Sequence, residues 1–290
     1  SFDGGMTFFS PVSAIRGMGP PEYSVRVLGS ATRQRPGGPL MSMHHVQVSR
    51  AEVEVLFTLE KEGAKPNGLQ YDIPTDRLLV ADQADGALIT VEDPRGARQQ
   101  SSFAAGSTGP SGVTVIPWNG ELVTIMSGTH APDLTVFGAD ETVYHVDHRG
   151  VGTGIVGFSK EPVTGQHTGF HGLEWDGTHL WASSPPGRAI FRLDLQPDDG
   201  GRVSITGCSW FRLAFGDRCH GMAWADAAKR TVWCNDTTLN TVYRYDTVTG
   251  QCLEILVLPA DAPFSHGMTI VDGDLWYCED TTAKICRVVR

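Results

Sequence analysis

The sequence has no apolar run approaching the ~18 residues of a membrane span. It shows no basic-then-apolar leader either, so no membrane partner is expected and a cytoplasmic location is the expectation, with an exported form as the alternative. Basic residues are outnumbered: 23 Lys and Arg stand against 33 Asp and Glu, for a formal charge of −10. Such a chain gains nothing from the counterion release that drives non-specific nucleic-acid binding, so DNA and RNA are not expected partners. No Gly-x-Gly-x-x-Gly follows a strand pattern, no serine nucleophile elbow appears, and no Cys-x-x-Cys spacing exists among the six cysteines. Nucleotide cofactors, serine-hydrolase chemistry and dithiol motifs therefore lack their signatures. Amphipathic helical stretches between strands are missing as well, which excludes a helical bundle and a parallel α/β sheet.

What is present is turn chemistry. The 34 Gly and 17 Pro are spread singly through the chain, and five segments share one grammar. They are PNGLQYDIPTDRLLVADQADGALITVEDP from Pro66, PSGVTVIPWNGELVTIMSGTHAPDLTVFGAD from Pro110, FHGLEWDGTHLWASSPPGRAIFRLDL from Phe170, CHGMAWADAAKRTVWCNDTTLNTVYRYD from Cys219, and SHGMTIVDGDLWYCEDTTAKICRVV from Ser265. Each has a polar residue and a Gly at its second and third positions, runs through a short apolar strand, turns at Asp, Gly or Asn, and continues with a bulky pair such as Leu180-Trp181 or Val232-Trp233. The marker glycines at 68, 112, 172, 221 and 267 recur every 44 to 60 residues. Three or four short strands at that period describe the blade of a β-propeller.

The fold expected is therefore an all-β propeller of five blades over residues 51–290. Six blades is the alternative, and it would need residues 1–50 to form a blade. Those residues, with GGM, GPP and RPGGP, read instead as an irregular arm packed on the ring. The last unit stops after three strands, and the alternating stretch at residues 52–59 (EVEVLFTL) is placed to supply its fourth strand and fasten the ring shut.

The informative position is the residue before each marker glycine: Asn67, Ser111, His171, His220 and His266. Equivalent positions on the innermost strands form a ring about the propeller axis, so three consecutive blades contribute imidazoles, with an amide and a hydroxyl opposite as substrate-pocket candidates. Three converging neutral imidazoles suit a divalent metal (Zn, Fe, Mn or Ni) with open positions for water or substrate. His44 and His45, just before the closing strand, and His167, four residues before His171, are candidate further ligands or general bases. Glu174 is a candidate catalytic carboxylate deeper in the channel. Asp82, Asn235, Asp236, Glu279 and Asp280, at second-strand ends, read as turn-orienting groups, one or two of them available as partners for a histidine ring nitrogen. Cys234 and Cys278 follow a bulky Trp on second strands and read as buried free thiols.

The unit "HG-hydrophobic-x-W-DGxxLW…I-x-R-hydrophobic-D" resembles the blades of the NHL-like and gluconolactonase-like propeller superfamily, and is especially similar to the virginiamycin B lyase type. The similarity spans about residues 52–290 and rests on generic blade grammar. In drawing histidines from several blades, the chain also resembles the propeller lyase that completes peptide amidation, and the blade count is shared with the glutamine cyclotransferases. The resemblance implies an enzyme acting on a small molecule in the central channel, most directly a metal-dependent lyase. Hydrolysis, isomerisation or cyclisation at the same site, and a non-catalytic binding scaffold, are the alternatives.

Overall fold

The computed structural model describes residues 23–27, 44–129, 132–149, 151, 169–216 and 218–290. Three strands come first: β1 (Tyr23–Val27), β2 (His44–Arg50) and β3 (Glu52–Thr58). Blade 1 is then built from β4 (Pro66–Asp72), β5 (Arg77–Asp82), β6 (Ala87–Glu92) and β7 (Gln99–Phe103), with a 3-10 turn at Ile73–Thr75. Blade 2 is β8 (Pro110–Trp118), β9 (Glu121–Gly128), β10 (Asp133–Phe137) and β11 (Val143–Asp147). Blade 3 is β12 (Leu173–Trp175), β13 (Leu180–Ser184), β14 (Ala189–Pro197) and β15 (Val203–Arg212). Blade 4 is β16 (Cys219–Trp224), β17 (Thr231–Asp236), β18 (Thr241–Asp246) and β19 (Cys252–Val257), and blade 5 is β20 (Met268–Val271), β21 (Asp274–Cys278) and β22 (Lys284–Val289).

The chain is a five-bladed propeller, and β3 closes it. It lies antiparallel against β22, pairing Val53 with Val288 and Phe57 with Ile285, so the first propeller strand completes the last blade. The turns follow the sequence chemistry. Asn119-Gly120 (φ 51° and 88°) and Asp272-Gly273 (φ 52° and 90°) supply the two consecutive left-handed residues of a tight hairpin whose twist matches its strands.

Packing follows the ring. The buried apolar residues fall into five clusters, one at each interface between adjacent blades. Trp181 and Trp224 meet edge to face between blades 3 and 4, with centroids 5.5 Å apart, and Trp233 and Trp276 fill the interfaces on either side of blade 5. The recurrent tryptophans are thus inter-blade filling.

One part of the arm differs from the sequence reading. Residues 44–50 are a strand and not an irregular segment: β2 runs parallel to β19 on the outer edge of blade 4, and β1 pairs with β2, giving that sheet six strands. The alternation of Val46 and Val48, both buried in the cluster between blades 3 and 4, is the period-2 signal that anchors it.

Candidate functional site

The five marker glycines form a closed ring of backbone contacts. A Cβ on Gly68 would lie 2.7 Å from Gly112 Cα, one on Gly112 would lie 2.0 Å from the His171 carbonyl oxygen, and one on Gly267 would lie 2.5 Å from Gly68 C. Gly172 and Gly221 meet the carbonyl oxygens of His220 and His266 in the same way, at 2.5 and 2.2 Å. Glycine is required here because innermost strands of neighbouring blades approach closer than a side chain allows.

Hydrogen bonds fasten the same ring. The Gly172 N–H donates to the His220 carbonyl at 2.8 Å. The Ser183 hydroxyl donates to that carbonyl too, and the Ser127 hydroxyl donates to the carbonyl of His171. Asn235 Oδ1 accepts the Gly221 N–H at 2.6 Å. An innermost strand has no further strand on its inner side, so polar side chains of the second strands satisfy backbone groups that would otherwise be buried unpaired. These staples escaped the sequence reading. The available signal was the polar second-strand residue next to each marker glycine: Ser127 stands opposite Gly112, and Ser183 and Asn235 accept the Gly172 and Gly221 N–H groups.

With their backbones held this way, the three histidines come together as a stack. The rings of His171 and His220 are 4.4 Å apart and 4° from parallel; those of His220 and His266 are 5.3 Å apart at 28°. His220 lies in the middle, 3% exposed, and neither of its ring nitrogens has a hydrogen-bond partner among the described residues. Burial, then the neighbouring His171 and His266, push its pKa well below the usual imidazole value, so it is neutral at neutral pH. His266 is the most open of the three to its neighbours' carboxylates: its Nε2 lies 3.6 Å from Asp280 Oδ2. Its pKa is lowered by burial, against which Asp280 pulls upward.

This stack does not have the geometry of a metal-ligand set. Lone pairs lie in the plane of each imidazole, so two parallel rings at 4.4 Å direct them side by side and not at one point. Among the described residues no group of three or more His, Cys, Asp or Glu is arranged to hold a metal ion. The expected imidazoles of blades 3, 4 and 5 are together as a stack, and no described group is placed to hold the expected divalent metal.

The remaining candidates separate. Asn67 is buried, with Oδ1 unpartnered among the described residues. Ser111 is tied to Thr129 Oγ1 and the Gly109 carbonyl. His45 is exposed on β2, four strands outward from β16, about 19 Å from the innermost strand at the usual strand spacing. His44 opens the same strand, so neither histidine of that pair belongs to the channel; the side chain of His44 and all of His167 lie outside the described residues. Glu174 is the middle residue of β12, three positions on from His171, and lines a different space. Asp82, Asp236 and Glu279 bond backbone N–H groups of their own turns, as expected, and Asp82 also accepts from the Lys65 N–H; of the second-strand-end carboxylates, Asp280 is the one paired with a histidine of the stack. All six cysteines are free. Cys219, next to His220, is buried with its thiol pushed up by Cys234 and by burial, which removes it as a nucleophile.

No protein-family model and no curated protein matches the sequence. Solved structures do match in fold. The glutaminyl cyclase of Myxococcus xanthus superposes with a TM-score of 0.53 at 12% identity, covering 82% of this chain and 96% of that one. A gluconolactonase of Xanthomonas campestris gives 0.48 at 13%, covering 82% and 79%. A virginiamycin B lyase of Staphylococcus aureus gives 0.47 at 9%, covering 83% and 100%. At 12% identity the likeness to the glutaminyl cyclase speaks for the fold alone.

Proposed function

We propose that the protein is an enzyme acting on a small molecule at the histidine end of the channel, by proton abstraction and elimination. The observation that carries this reading is the stack of three imidazoles on consecutive blades with Asp280 at one end. Such a group is costly to bury without a task, since imidazoles on adjacent strands penalise each other's protonation. His266 takes the proton: it is the ring beside a carboxylate, and a base oriented by an acid is the recurrent arrangement for moving a proton near neutral pH. His220, neutral and with uncommitted nitrogens, donates its ring N–H to the carbonyl oxygen on which charge develops. The substrate carries a C–H next to that carbonyl and a leaving group on the adjoining carbon. The C–H electron pair becomes the new C=C bond, the bond to the leaving group breaks, and the proton on His266 passes to the leaving group. The reaction consumes no oxidant, reductant or water.

A panel of small lactones and β-substituted carbonyl compounds, followed by proton NMR in heavy water, tests this directly. The expected result is α-C–H exchange and a new vinyl signal with the native protein. His266→Ala should lower kcat by about 10²–10⁴-fold and Asp280→Asn by less. Near-native turnover in His266→Ala, or a panel that shows neither exchange nor vinyl product, overturns the reading.

A further inference from the structure

A second, chemically different space lies at the other end of the inner strands. The innermost strands run from the histidines toward Gln70, Glu174, Trp224 and Thr269, and there they open into a cavity of about 780 Å³ lined by blades 1, 3, 4 and 5. Its walls include the indoles of Trp224 and Trp233, and its polar groups include Glu174, Lys229 and Arg244. Volume and aromatic walls suit a small molecule, and the many polar and charged side chains of the lining decide which one.

The charges in this cavity are mostly spoken for. Arg244 pairs with Glu254 at 3.0 Å, Arg287 pairs with Asp274 at 3.2 Å and with Glu54, and Asp272 is held by Arg95. Asp226 is bound by the backbone N–H groups of Arg230 and Thr231 and by the Thr231 hydroxyl. Lys229 is different. Its ammonium lies 5.7 Å from the Trp224 ring centroid and makes no ion pair among the described residues. Glu174 is 5% exposed on the cavity wall. Burial raises its pKa to about 8, against Lys229 and the Trp175 and Trp224 N–H groups, so at neutral pH the carboxyl keeps its proton and is a donor. Among the described residues, a cation without an ion pair, a buried hydrogen-bond donor and aromatic faces together select a ligand with an acidic head and an apolar body.

We propose that this cavity is a second small-molecule site, independent of the histidine stack, which takes an aromatic carboxylate: the acid group binds between Lys229 and Glu174, and the ring lies along Trp224. Lys229 supplies the counter-charge, Glu174 donates to a carboxylate oxygen, and the indoles exclude water from the pair, which strengthens both contacts.

Three probes of nearly one shape separate the alternatives on the full chain. Benzoate, benzamide and benzylamine carry an anionic, a neutral and a cationic head, and their binding at millimolar concentration is read by ligand-observed NMR and titration. Benzoate should bind about tenfold more tightly than benzamide, and benzylamine should not bind. Lys229→Met, on a hairpin turn and outside the core, should bring benzoate down to the benzamide level and leave benzamide unchanged. Glu174→Gln keeps a donor and should retain benzoate, whereas Glu174→Ala should lose it. His220→Ala, at the far end of the channel, should change none of these affinities. Equal binding of benzoate and benzamide, preference for benzylamine, no binding by any probe, or benzoate binding that survives Lys229→Met overturns the proposal. Loss of benzoate in His220→Ala with Lys229→Met unaffected would move the anion site to the histidines and overturn it equally.

Discussion

The imidazoles of His171 and His220 lie face to face, 4.4 Å apart and 4° from parallel, on innermost strands of adjacent blades. Their closeness follows from the glycines beside them. Gly172 brings its strand against the His220 carbonyl, and the side chains one position earlier inherit the same spacing. The stack is therefore a property of the ring's inner circumference as much as of the histidines.

Acid should loosen this end of the molecule first. The folded-state pKa values of His220 and His266 lie below the ordinary 6.5, so in the window below 6.5 the unfolded chain binds protons that the folded chain refuses. The stability these histidines contribute is present above the unfolded value and is lost as pH falls through that window. Thermal denaturation followed across it should show a falling Tm in the native protein and a flatter profile in His220→Gln. Identical profiles would mean the stack is hydrated and titrates freely.

The glycine ring sets a sharper steric test. Gly112→Ala places a methyl group 2.0 Å from a main-chain oxygen, so two blades must separate; a loss of about 3 kcal/mol is expected by urea unfolding. Gly138→Ala is the control. Its new Cβ would meet only an Asp140 carboxylate oxygen, at 3.5 Å, and it should leave stability within about 0.5 kcal/mol of native.

Ring closure by β3 makes a prediction about truncation. Removing residues 1–50 takes away β1 and β2, uncovering the site of the buried Val46 and Val48, so Tm should fall while the five blades remain. Removing residues 1–62 also takes β3 and leaves β22 with an unpaired edge; aggregation should appear by light scattering. A shorter chain that stays monomeric and folded would show that the fourth strand of blade 5 is dispensable.

The propeller, its five blades and the strand that closes it were legible because each rests on local periodicity: a polar-Gly start, alternating strands and turn residues at fixed offsets. The stack was half legible. Repetition at one position placed His171, His220 and His266 on a common ring, but ring orientation depends on torsions that no spacing encodes, and so the stacking of the three was not foreseen. His45 misled because proximity in sequence to the closing strand says nothing about β2, which turns away to the far edge of blade 4. The cavity at the opposite end was invisible, since its walls come from four blades and its defining groups, Glu174 and Lys229, lie on different hairpins.

Glu174 offers the opposite sign of pH dependence from the histidines. Its carboxyl titrates near 4.5 when unfolded and about 8 when folded, so between those values the folded chain holds a proton that the unfolded chain has released. Its contribution to stability is complete below the unfolded value and disappears as pH rises through the folded one, because burying the carboxylate becomes unavoidable. Glu174→Gln keeps the shape and cannot ionise. Native and variant should have similar Tm in acid, and the variant should become the more stable one toward alkaline pH, by a few kcal/mol at most once the native carboxyl has lost its proton. Because the histidines are common to both proteins, the difference between the two Tm profiles isolates this one group. A difference that does not change with pH would show that Glu174 is ionised in the folded protein, and the donor at the cavity wall would have to be sought elsewhere.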